Sequence, residues 1–468
     1  MTNTINRRRV LQTIGAGGVA GLAGCAGGDG GDGGSSDGGS SDGGSSDGGS
    51  DESTGTATGS TGGEGPITLG LNFPLSGGLA LSGTESARGV ELAVQTINAN
   101  GGVNGREFEI IKRDAQNSDA GVSNVQAFAT SDDVDVIIGS FSSSIAKASS
   151  EAAARYDKVY WETTGFAPSI SEPGYQNVFH SNARTTTYGQ LAGRLLDNVI
   201  APALEKPTED LSLVILYENG EFGSATRDEV NAQQEEYGYE VAEEIGYPAF
   251  ETSDLSSAIE RFKQAEPDVV YHSGYNADTN LFWQQAADLD FYVPACLGNG
   301  TAYVLGSFVD AVGSTTAEGI INSSQPHYNL NESYAPGVAD ILSQYTDEYG
   351  ETPISQLPNT TYSCMEILAE VARDTASFSP ADVESAVLDL DIPFGELANG
   401  FGASYDEEYH RNERVRVAGM QWQPDTFTED THHPEQSDGT LDVYGVYPDE
   451  AKVGYTETTS IPRPDYTQ

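Results

Sequence analysis

The sequence predicts an α/β fold made of two doubly wound lobes, each built on a parallel sheet. Three observations support this class. From residue 66 onward, short apolar runs alternate with segments of helical periodicity. The alternation forms two series, of which the second begins after residue 184. In the first series, one apolar run ends in a polar stretch just before a helix, as expected where parallel strands reach a ligand-binding edge.

The first series predicts a sheet covered by helices. Its predicted strands are residues 67–74, 108–112 and 134–141, and its predicted helices are residues 83–100 and 117–130. In the first of these helices, Val90, Ala93, Val94 and Ile97 share one face. An apolar face of this width is typical of a helix that packs on a sheet.

The second series repeats the pattern. Its predicted strands are residues 211–218, 268–275 and 293–298, and its predicted helices are residues 190–200 and the segments that begin at residues 221 and 277. A chain of 468 residues is also longer than one ordinary domain. The sequence therefore predicts two lobes with separate cores.

The composition is strongly acidic. The formal net charge is −49, from 71 acidic and 22 basic residues, and only eight of the acids precede residue 66. Such a surface repels nucleic acid and anionic lipid headgroups, so neither is expected as a partner through a basic patch. Lysine is scarce, and this balance resembles proteins of salt-loving archaea, in which salt screens the repulsion.

The amino terminus predicts an export signal. Arg7 and Arg8 precede a weakly apolar stretch, residues 10–23, which is too short and too rich in glycine to span a bilayer. The arginine pair resembles the twin-arginine export signal. Leu22-Ala23-Gly24-Cys25 looks like a lipobox, which makes residues 1–24 a signal peptide and Cys25 the acylated residue. We expect the chain to be anchored by lipid on the extracellular face of the cell membrane.

Residues 25–65 predict a tether. After Cys25, the segment repeats serine, aspartate and glycine and has almost no apolar side chains. Such a composition cannot bury enough surface to fold, so it predicts a flexible spacer between the lipid and the lobes.

The end of the third predicted strand is a candidate ligand site. Residues 134–139 lead into Ser140-Phe141-Ser142-Ser143-Ser144, just before a predicted helix. Hydroxyl groups and free amides at a helix amino terminus suit a carboxylate or another polar group of a ligand. The alternative is that these serines only cap the helix.

Several motifs in the two series have a specific order and spacing. They include NFPLSG at 72–77, GVELA at 89–93, INANGGVNGR at 97–106 and Asp114, and they continue at residues 138–139, 173–179, 221–223, 268–275 and 317–319. Together they resemble the leucine/isoleucine/valine-binding family of ABC-transporter solute receptors. The resemblance covers most of residues 66–320 and continues more weakly beyond them.

The resemblance implies a type I periplasmic-binding-protein fold, in which three crossovers form a hinge and the cleft closes on a ligand. It places residues 66–183 and 325–404 in the first lobe. Residues 184–324 and 405–454 form the second lobe, and residues 455–468 form a tail. We expect a monomer without a cofactor, whose partners are a small-molecule ligand and the membrane permease subunits of an ABC importer.

The same resemblance proposes ligand-binding residues by position. The set comprises Ser142, Ser143, Thr163 and Thr164 in the first lobe and Tyr275 and Asn299 in the second. Where amino-acid binders of the family often hold the ammonium and carboxylate, this chain has Ser82, Phe166, Phe222 and Asn299.

These departures leave the ligand class open. Phe166 and Phe222 either line an apolar or aromatic ligand or only pack. Glu162 either supplies a substitute counter-charge for an ammonium or is a structural acid beside Trp161.

Enzyme chemistry is not expected. The six histidines have no metal-ligand or triad spacing, and no nucleophile elbow, phosphate loop or zinc signature is present in the sequence. Cys296 and Cys364 could pair outside the cell, but free buried thiols are the stronger expectation. Four sequons permit glycosylation, at Asn299, Asn322, Asn331 and Asn359.

Three functions follow from these features. The first is a receptor that delivers a small polar solute, such as an amino acid, branched-chain amino acids included, an amide or a carboxylate, to an ABC permease. The second is a sensor of the same fold that passes its closure to a signalling partner. The third and most remote is a surface hydrolase, for which the sequence offers no nucleophile or metal.

Overall fold

A computed structural model describes residues 65–424, 441–453 and 460–467. The predicted export signal with Arg7 and Arg8, the predicted lipid site Cys25 and the predicted tether up to residue 64 lie outside the described residues. Among the residues that are described, no helix has both the length and the apolar character needed to cross a bilayer.

The first lobe contains a parallel sheet of five strands. They are β1 (Ile67–Phe73), β2 (Phe108–Asp114), β3 (Val136–Gly139), β4 (Val159–Glu162) and β5 (Val178–His180), in the spatial order β2-β1-β3-β4-β5. Asn72, Gly139, Glu162 and His180 form one row across the sheet. The carboxyl ends of four strands therefore meet at one edge.

The second lobe contains a larger, mixed sheet. Its strands are β6 (Ser212–Glu218), β7 (Glu240–Tyr247), β8 (Val269–Ser273), β9 (Ala295–Asn299), β10 (Ile321–Ser324), β11 (Ala418–Pro424) and β12 (Leu441–Tyr447). The spatial order is β12-β11-β10-β9-β8-β6-β7. The predicted α/β class with parallel strands is confirmed for β6 to β10, whereas β11 and β12 form an antiparallel edge.

The antiparallel edge follows from the path of the chain. β10 leaves the second lobe at Ser324, which pairs with Ala418 at the start of β11. The chain leaves β10 and enters β11 at the same end of these two neighbouring strands. β11 therefore runs antiparallel to β10.

Helices cover both sheets. They are α1 (Ala80–Ala99), α2 (Ser118–Ala127), α3 (Ser143–Arg155), α4 (Thr185–Leu195), α5 (Ala201–Ala203), α6 (Glu221–Tyr237), α7 (Ser256–Ala265), α8 (Asn276–Asp288), α9 (Gly306–Val312), α10 (Ser314–Ala317), α11 (Val338–Tyr349), α12 (Leu357–Asp374) and α13 (Pro380–Leu388). α1 packs along α12 across more than 250 residues of sequence, with Gly89 directly against Thr361.

The packing of the cores shows that the chain passes between the lobes three times. Leu69 and Trp161 share the first core with Leu368, which lies late in the sequence. The second lobe buries Trp283 together with Trp422 and with Tyr466, a residue of the predicted tail. The exact lobe limits given above stay a prediction.

Buried hydrogen bonds join the three crossing segments. The Ser181 hydroxyl bonds the Tyr405 hydroxyl at 2.6 Å. The Asn412 amide donates to the His180 carbonyl oxygen at 2.9 Å, and Gln325 Nε2 donates to Asn182 Oδ1 at 3.4 Å. These bonds place the three crossings side by side, as expected of a hinge.

Candidate functional site

Ser142 and Ser143 begin α3 at the carboxyl edge of the first sheet. Ser142 is the amino-terminal cap residue of the helix, and Ser143 is its first residue. The Ser143 hydroxyl accepts hydrogen bonds from the amides of Phe166 (3.1 Å) and Ala167 (3.2 Å). Ser143 therefore ties the loop after β4 to the start of α3.

Glu162 is the last residue of β4 and is fully buried. Its Oε1 accepts from the amides of Thr163 (3.0 Å), Thr164 (2.9 Å) and Gly165 (2.6 Å). Its Oε2 accepts from the Ser140 amide at 2.9 Å and from the Tyr160 hydroxyl at 3.1 Å. The buried Glu162 carboxyl group thus fixes the backbone of the loop after β4 through hydrogen bonds.

Burial raises the pKa of Glu162 to about 8, although the donors from Gly165, Thr164 and Ser140 act in the opposite direction. In either protonation state Oε1 remains an acceptor for the three amides. The neighbouring hydroxyls of Thr163 and Thr164 donate to the carbonyls of Gly139 (3.4 Å) and Ser140 (3.2 Å).

Glu218 is a similar buried acid in the second lobe, at the end of β6. It is 3% exposed, and its oxygens accept from the amides of Gly220 (2.7 Å) and Gly223 (2.6 Å). A Cβ at Gly223 would lie 2.1 Å from the Glu218 carbonyl oxygen, which explains the glycine. The sequence analysis missed Glu218, although an acid at the end of a predicted strand just before a glycine-bearing helix start was a usable signal.

Four aromatic rings, Phe166, Phe222, Tyr275 and Phe250, form a continuous surface that we call the aromatic wall. The ring centroids are 5.8 Å apart for Phe166 and Phe222, 5.8 Å for Phe222 and Tyr275, and 5.0 Å for Tyr275 and Phe250. Phe166 belongs to the first lobe and the other three to the second. The wall therefore spans the cleft.

Phe250 was not found from the sequence. It lies between β7 and α7, has a φ of +63° and is 51% exposed. A Cβ at Gly78, in the first lobe, would lie 3.3 Å from its ring. Phe250 reaches the mouth of the cleft only through the folded position of its loop. No local sequence pattern predicts this position.

The cleft beside the aromatic wall has a volume of about 560 Å³, which includes its solvent-filled mouth. Of the predicted ligand-binding residues, it is lined by Ser143, Phe166, Phe222 and Tyr275. Ser82, Phe141, Asn276, Thr301 and several small or apolar residues complete the lining. Every described residue that lines it is uncharged.

The other predicted site residues lie around this lining. Ser142 contacts Tyr275 across the cleft, with 3.3 Å between the hydroxyl oxygens. Glu162, Thr163 and Thr164 lie behind the lining of the first lobe. Asn299 ends β9 fully buried, and its Nδ2 lies 3.4 Å from the Tyr271 hydroxyl.

Tyr275 is positioned by an acid that the sequence analysis did not single out. Asp278, which is 3% exposed, accepts from the Tyr275 amide at 3.0 Å and from the Tyr247 hydroxyl at 2.8 Å through the same oxygen. Burial raises the pKa of Asp278. The acid caps α8 and so fixes the backbone from which the Tyr275 ring extends.

The sequons differ in accessibility. Asn299, Asn322 and Asn359 are at most 1% exposed, whereas Asn331 is exposed. Only Asn331 of the four is open to a modifying enzyme in the folded chain.

The chain is similar to known proteins over most of its length. Residues 66–426 match the family model described as periplasmic binding protein. The Leu/Ile/Val-binding protein homolog 7 of Brucella abortus strain 2308 is 33% identical over 357 residues, which is 76% of this chain and 89% of that protein. The Leu/Ile/Val-binding protein homolog 8 of Brucella suis is 30% identical, and the aligned region covers 79% of this chain and 91% of that protein.

Solved structures resemble the fold. The branched-chain amino acid transporter substrate-binding protein LivJ from Streptococcus pneumoniae, in complex with isoleucine, aligns with a TM-score of 0.66 at 18% identity, over 82% of this chain and all of that one. A leucine-, isoleucine-, valine-, threonine- and alanine-binding protein from Brucella ovis, in a closed conformation, aligns with a TM-score of 0.68 at 18% identity, over 81% of this chain and 94% of that one. At 18% sequence identity, these two structural similarities support the fold only.

Proposed function

The chain belongs to the family of periplasmic binding proteins, and on that premise we propose that it is the solute receptor of an ABC importer, anchored by lipid at Cys25 outside the cell membrane. The family binds solutes, so the chain is a binding protein and not an enzyme. We further propose that the twin-arginine signal at Arg7 and Arg8 exports it. A small polar solute enters the cleft between the lobes, and the permease subunits receive it there.

One observation carries the proposal: both lobes supply side chains to a single uncharged cleft. Phe166 and Ser143 come from the first lobe, and Phe222 and Tyr275 come from the second. A solute that contacts both sets binds the closed form more tightly than the open form, and it therefore shifts the population toward closure. Closure is the change that a membrane partner can detect.

The predicted ligand-binding residues have two roles in this account. Ser142, Ser143, Phe166, Phe222 and Tyr275 contact the solute or the opposite lobe. Glu162, Thr163, Thr164 and Asn299 act as positioning residues behind the lining, because their polar atoms bond the chain's own backbone or a neighbouring hydroxyl.

The names of the relatives bear on the solute. Two relatives are named for leucine, isoleucine and valine, and one structural neighbour is described with isoleucine bound. They favour a solute of amino-acid size, including a branched-chain amino acid, an amide or a carboxylate.

A thermal-shift screen of the purified protein in multimolar salt tests binding. The panel contains amino acids, short amides, urea and aromatic carboxylates. A ligand that binds only the folded state raises the melting temperature, by an amount that grows with its concentration above Kd. A panel in which no compound raises the melting temperature contradicts the proposal.

Uptake by cells separates transport from sensing. Cells that lack the protein should lose uptake of the radiolabelled solute found in the screen, and the wild-type gene should restore it. A Phe222→Ala variant should restore little uptake. Tyr156→Ala should restore it fully, because Tyr156 caps the carboxyl end of α3, about 20 Å from the cleft-facing residue Ser143. Unchanged uptake in the deletion strain would favour a sensor.

A further inference from the structure

We propose that the cleft selects an uncharged solute that joins a flat apolar group to an amide. This inference rests on the proposed function and narrows its ligand class. Three features of the described residues carry it: the lining lacks charge, the amides of the loop after β4 are already occupied, and an unpartnered acceptor lies beside the aromatic wall.

The absence of charge in the described lining disfavours an ionic solute. Closing the lobes removes a bound ion from water, and a buried ion without a partner is costly. Glu218 and Asp278 are the acids near Tyr275, but they lie behind the lining. Glu218 holds Gly220 and Gly223, and Asp278 holds the Tyr275 amide, so both are engaged in shaping the loops.

The loop after β4 leaves no amide for a solute carboxylate. The amides of Thr163, Thr164 and Gly165 donate to Glu162, and those of Phe166 and Ala167 donate to Ser143. The chain thus supplies its own carboxyl group at the place where strand-end amides could hold an anion. A solute carboxylate could reach these five amides only by displacing the Glu162 carboxyl group or the Ser143 hydroxyl.

The remaining groups suit a neutral amide. The Asn276 side chain lines the cleft, and its buried Oδ1 has no hydrogen-bond partner among the described residues. An acceptor of this kind is satisfied by an N–H group of the solute. Ser82 and Thr301, which also line the cleft, have hydroxyls that can donate to the carbonyl oxygen of an amide.

The aromatic wall suits a flat apolar group. Phe166 from the first lobe and Phe222 and Tyr275 from the second all line the cleft, and stacked or edge-on rings attract each other beyond the effect of buried area. A ring or another planar group therefore gains more here than a compact branched side chain does.

A series that keeps one aromatic group and changes the charge of the polar end tests the inference. Phenylacetamide, phenylacetate, phenethylamine and phenylalanine share a benzyl group and carry no charge, a negative charge, a positive charge and both charges. Titration calorimetry of the purified protein should give phenylacetamide an affinity at least about tenfold higher than each of the other three. Equal or tighter binding of any charged member would overturn the inference.

A variant makes the test specific to the cleft. Asn276→Asp keeps the acceptor and the helix start, because aspartate is favoured in a first helical turn, and it adds one negative charge. It should raise the affinity ratio of phenethylamine to phenylacetamide about fivefold or more, while Tyr156→Ala leaves the ratio unchanged. An unchanged ratio in Asn276→Asp would place the solute elsewhere and overturn the inference.

The two proposals fail in different ways. If the broad screen yields a ligand and none of the benzyl series binds, the inference is wrong and the proposed function stands. If the broad screen is also empty, both are wrong.

Discussion

Lys147 in the first lobe and Glu221 in the second form an ion pair across the cleft, with 2.7 Å between Nζ and Oε1. The other carboxylate oxygen of Glu221 accepts from the Ser169 hydroxyl, also at 2.7 Å and also from the first lobe. Glu221 is the first residue of α6, next to Phe222 of the aromatic wall. One side chain thus links both lobes beside the site.

Removal of this link should favour the open form. In Lys147→Gln the attraction between the lobes is lost, and partly exposed ion pairs contribute about 0.2–1 kcal/mol. The radius of gyration of the ligand-free protein, measured by small-angle scattering, should therefore increase. Lys112→Gln breaks a pair within the first lobe, Lys112 with Glu91, and serves as the control. Equal radii for both variants would refute the link.

Added salt should reduce the increase in the radius of gyration that Lys147→Gln causes. The ion pair is partly exposed, so its energy falls as the screening length shrinks to about 3 Å at 1 M salt. The difference in radius between wild type and Lys147→Gln should be largest at the lowest salt at which the protein remains folded. A difference that grows with salt would contradict an electrostatic origin.

Gly223→Ala should distort the part of the site that the second lobe supplies. The added Cβ would meet the Glu218 carbonyl oxygen at 2.1 Å, so the start of α6 has to move. We expect the free energy of unfolding to fall by about 1–3 kcal/mol and solute affinity to fall with it, measured by denaturant titration and calorimetry. Ser224→Ala is the matched control at the next position. Wild-type affinity in Gly223→Ala would show that this close contact does not position Phe222.

Glu85 should make stability depend on pH. It is 3% exposed, accepts from the Ile354 amide at 3.0 Å and from the Tyr345 hydroxyl, and lies 3.8 Å from Arg88 Nη1. Burial raises its pKa to about 7. Because the folded carboxyl group holds its proton more tightly than the unfolded one, its contribution to stability is full below about pH 4.5 and is lost as the pH rises through about 7.

The measurement is the free energy of unfolding from pH 5 to 9. Wild type should lose roughly 3 kcal/mol more over this range than Glu85→Gln, which cannot ionise. Glu162 contributes a decline in the same direction in both proteins, so the difference between them isolates Glu85. Glu348→Gln, at an exposed position of α11, should follow wild type. Parallel curves for wild type and Glu85→Gln would contradict the prediction.

Cys296 and Cys364 should be inert in the folded protein. Both are free thiols, at most 1% exposed. Burial raises the pKa of Cys296 to about 12 and that of Cys364 well above its usual range, so little thiolate exists at neutral pH. Peptide mapping after iodoacetamide treatment should find both unmodified in native protein and modified after unfolding. Rapid native labelling of either would contradict the burial.

The sequence predicts best the strands that helices cover on both sides. Most residues of β1, β6 and β8 are apolar because both faces of these strands are buried, and their predicted limits differ from the observed ones by at most two residues at either end. The apolar pattern does not predict β7, an edge strand in which exposed residues, Glu240 and Glu244 among them, alternate with half-buried ones. It also misses β5, because three residues are too few to show a period.

The residues of the candidate site also differ in how well the sequence predicts their positions. Ser143, Phe222 and Tyr275 lie at or just after predicted strand ends, and Phe166 follows β4, which the sequence did not predict. The fold brings all four together, since parallel strands end at a shared edge. Phe250 and Asp278 depend on how loops and helices pack in the second lobe. The occupation of the loop amides by Glu162 depends on the direction in which a side chain turns, which sequence spacing does not specify.

Calorimetric titration of three alanine variants tests the central claim, that one solute is held by both lobes at the aromatic wall. The titrant is the solute that raises the melting temperature most in the screen. Phe166→Ala and Phe222→Ala, one in each lobe, should each weaken binding about tenfold or more, while Tyr156→Ala stays within about twofold of wild type. Wild-type affinity in both Phe166→Ala and Phe222→Ala would contradict the claim, because the solute would then bind outside the cleft that these rings form.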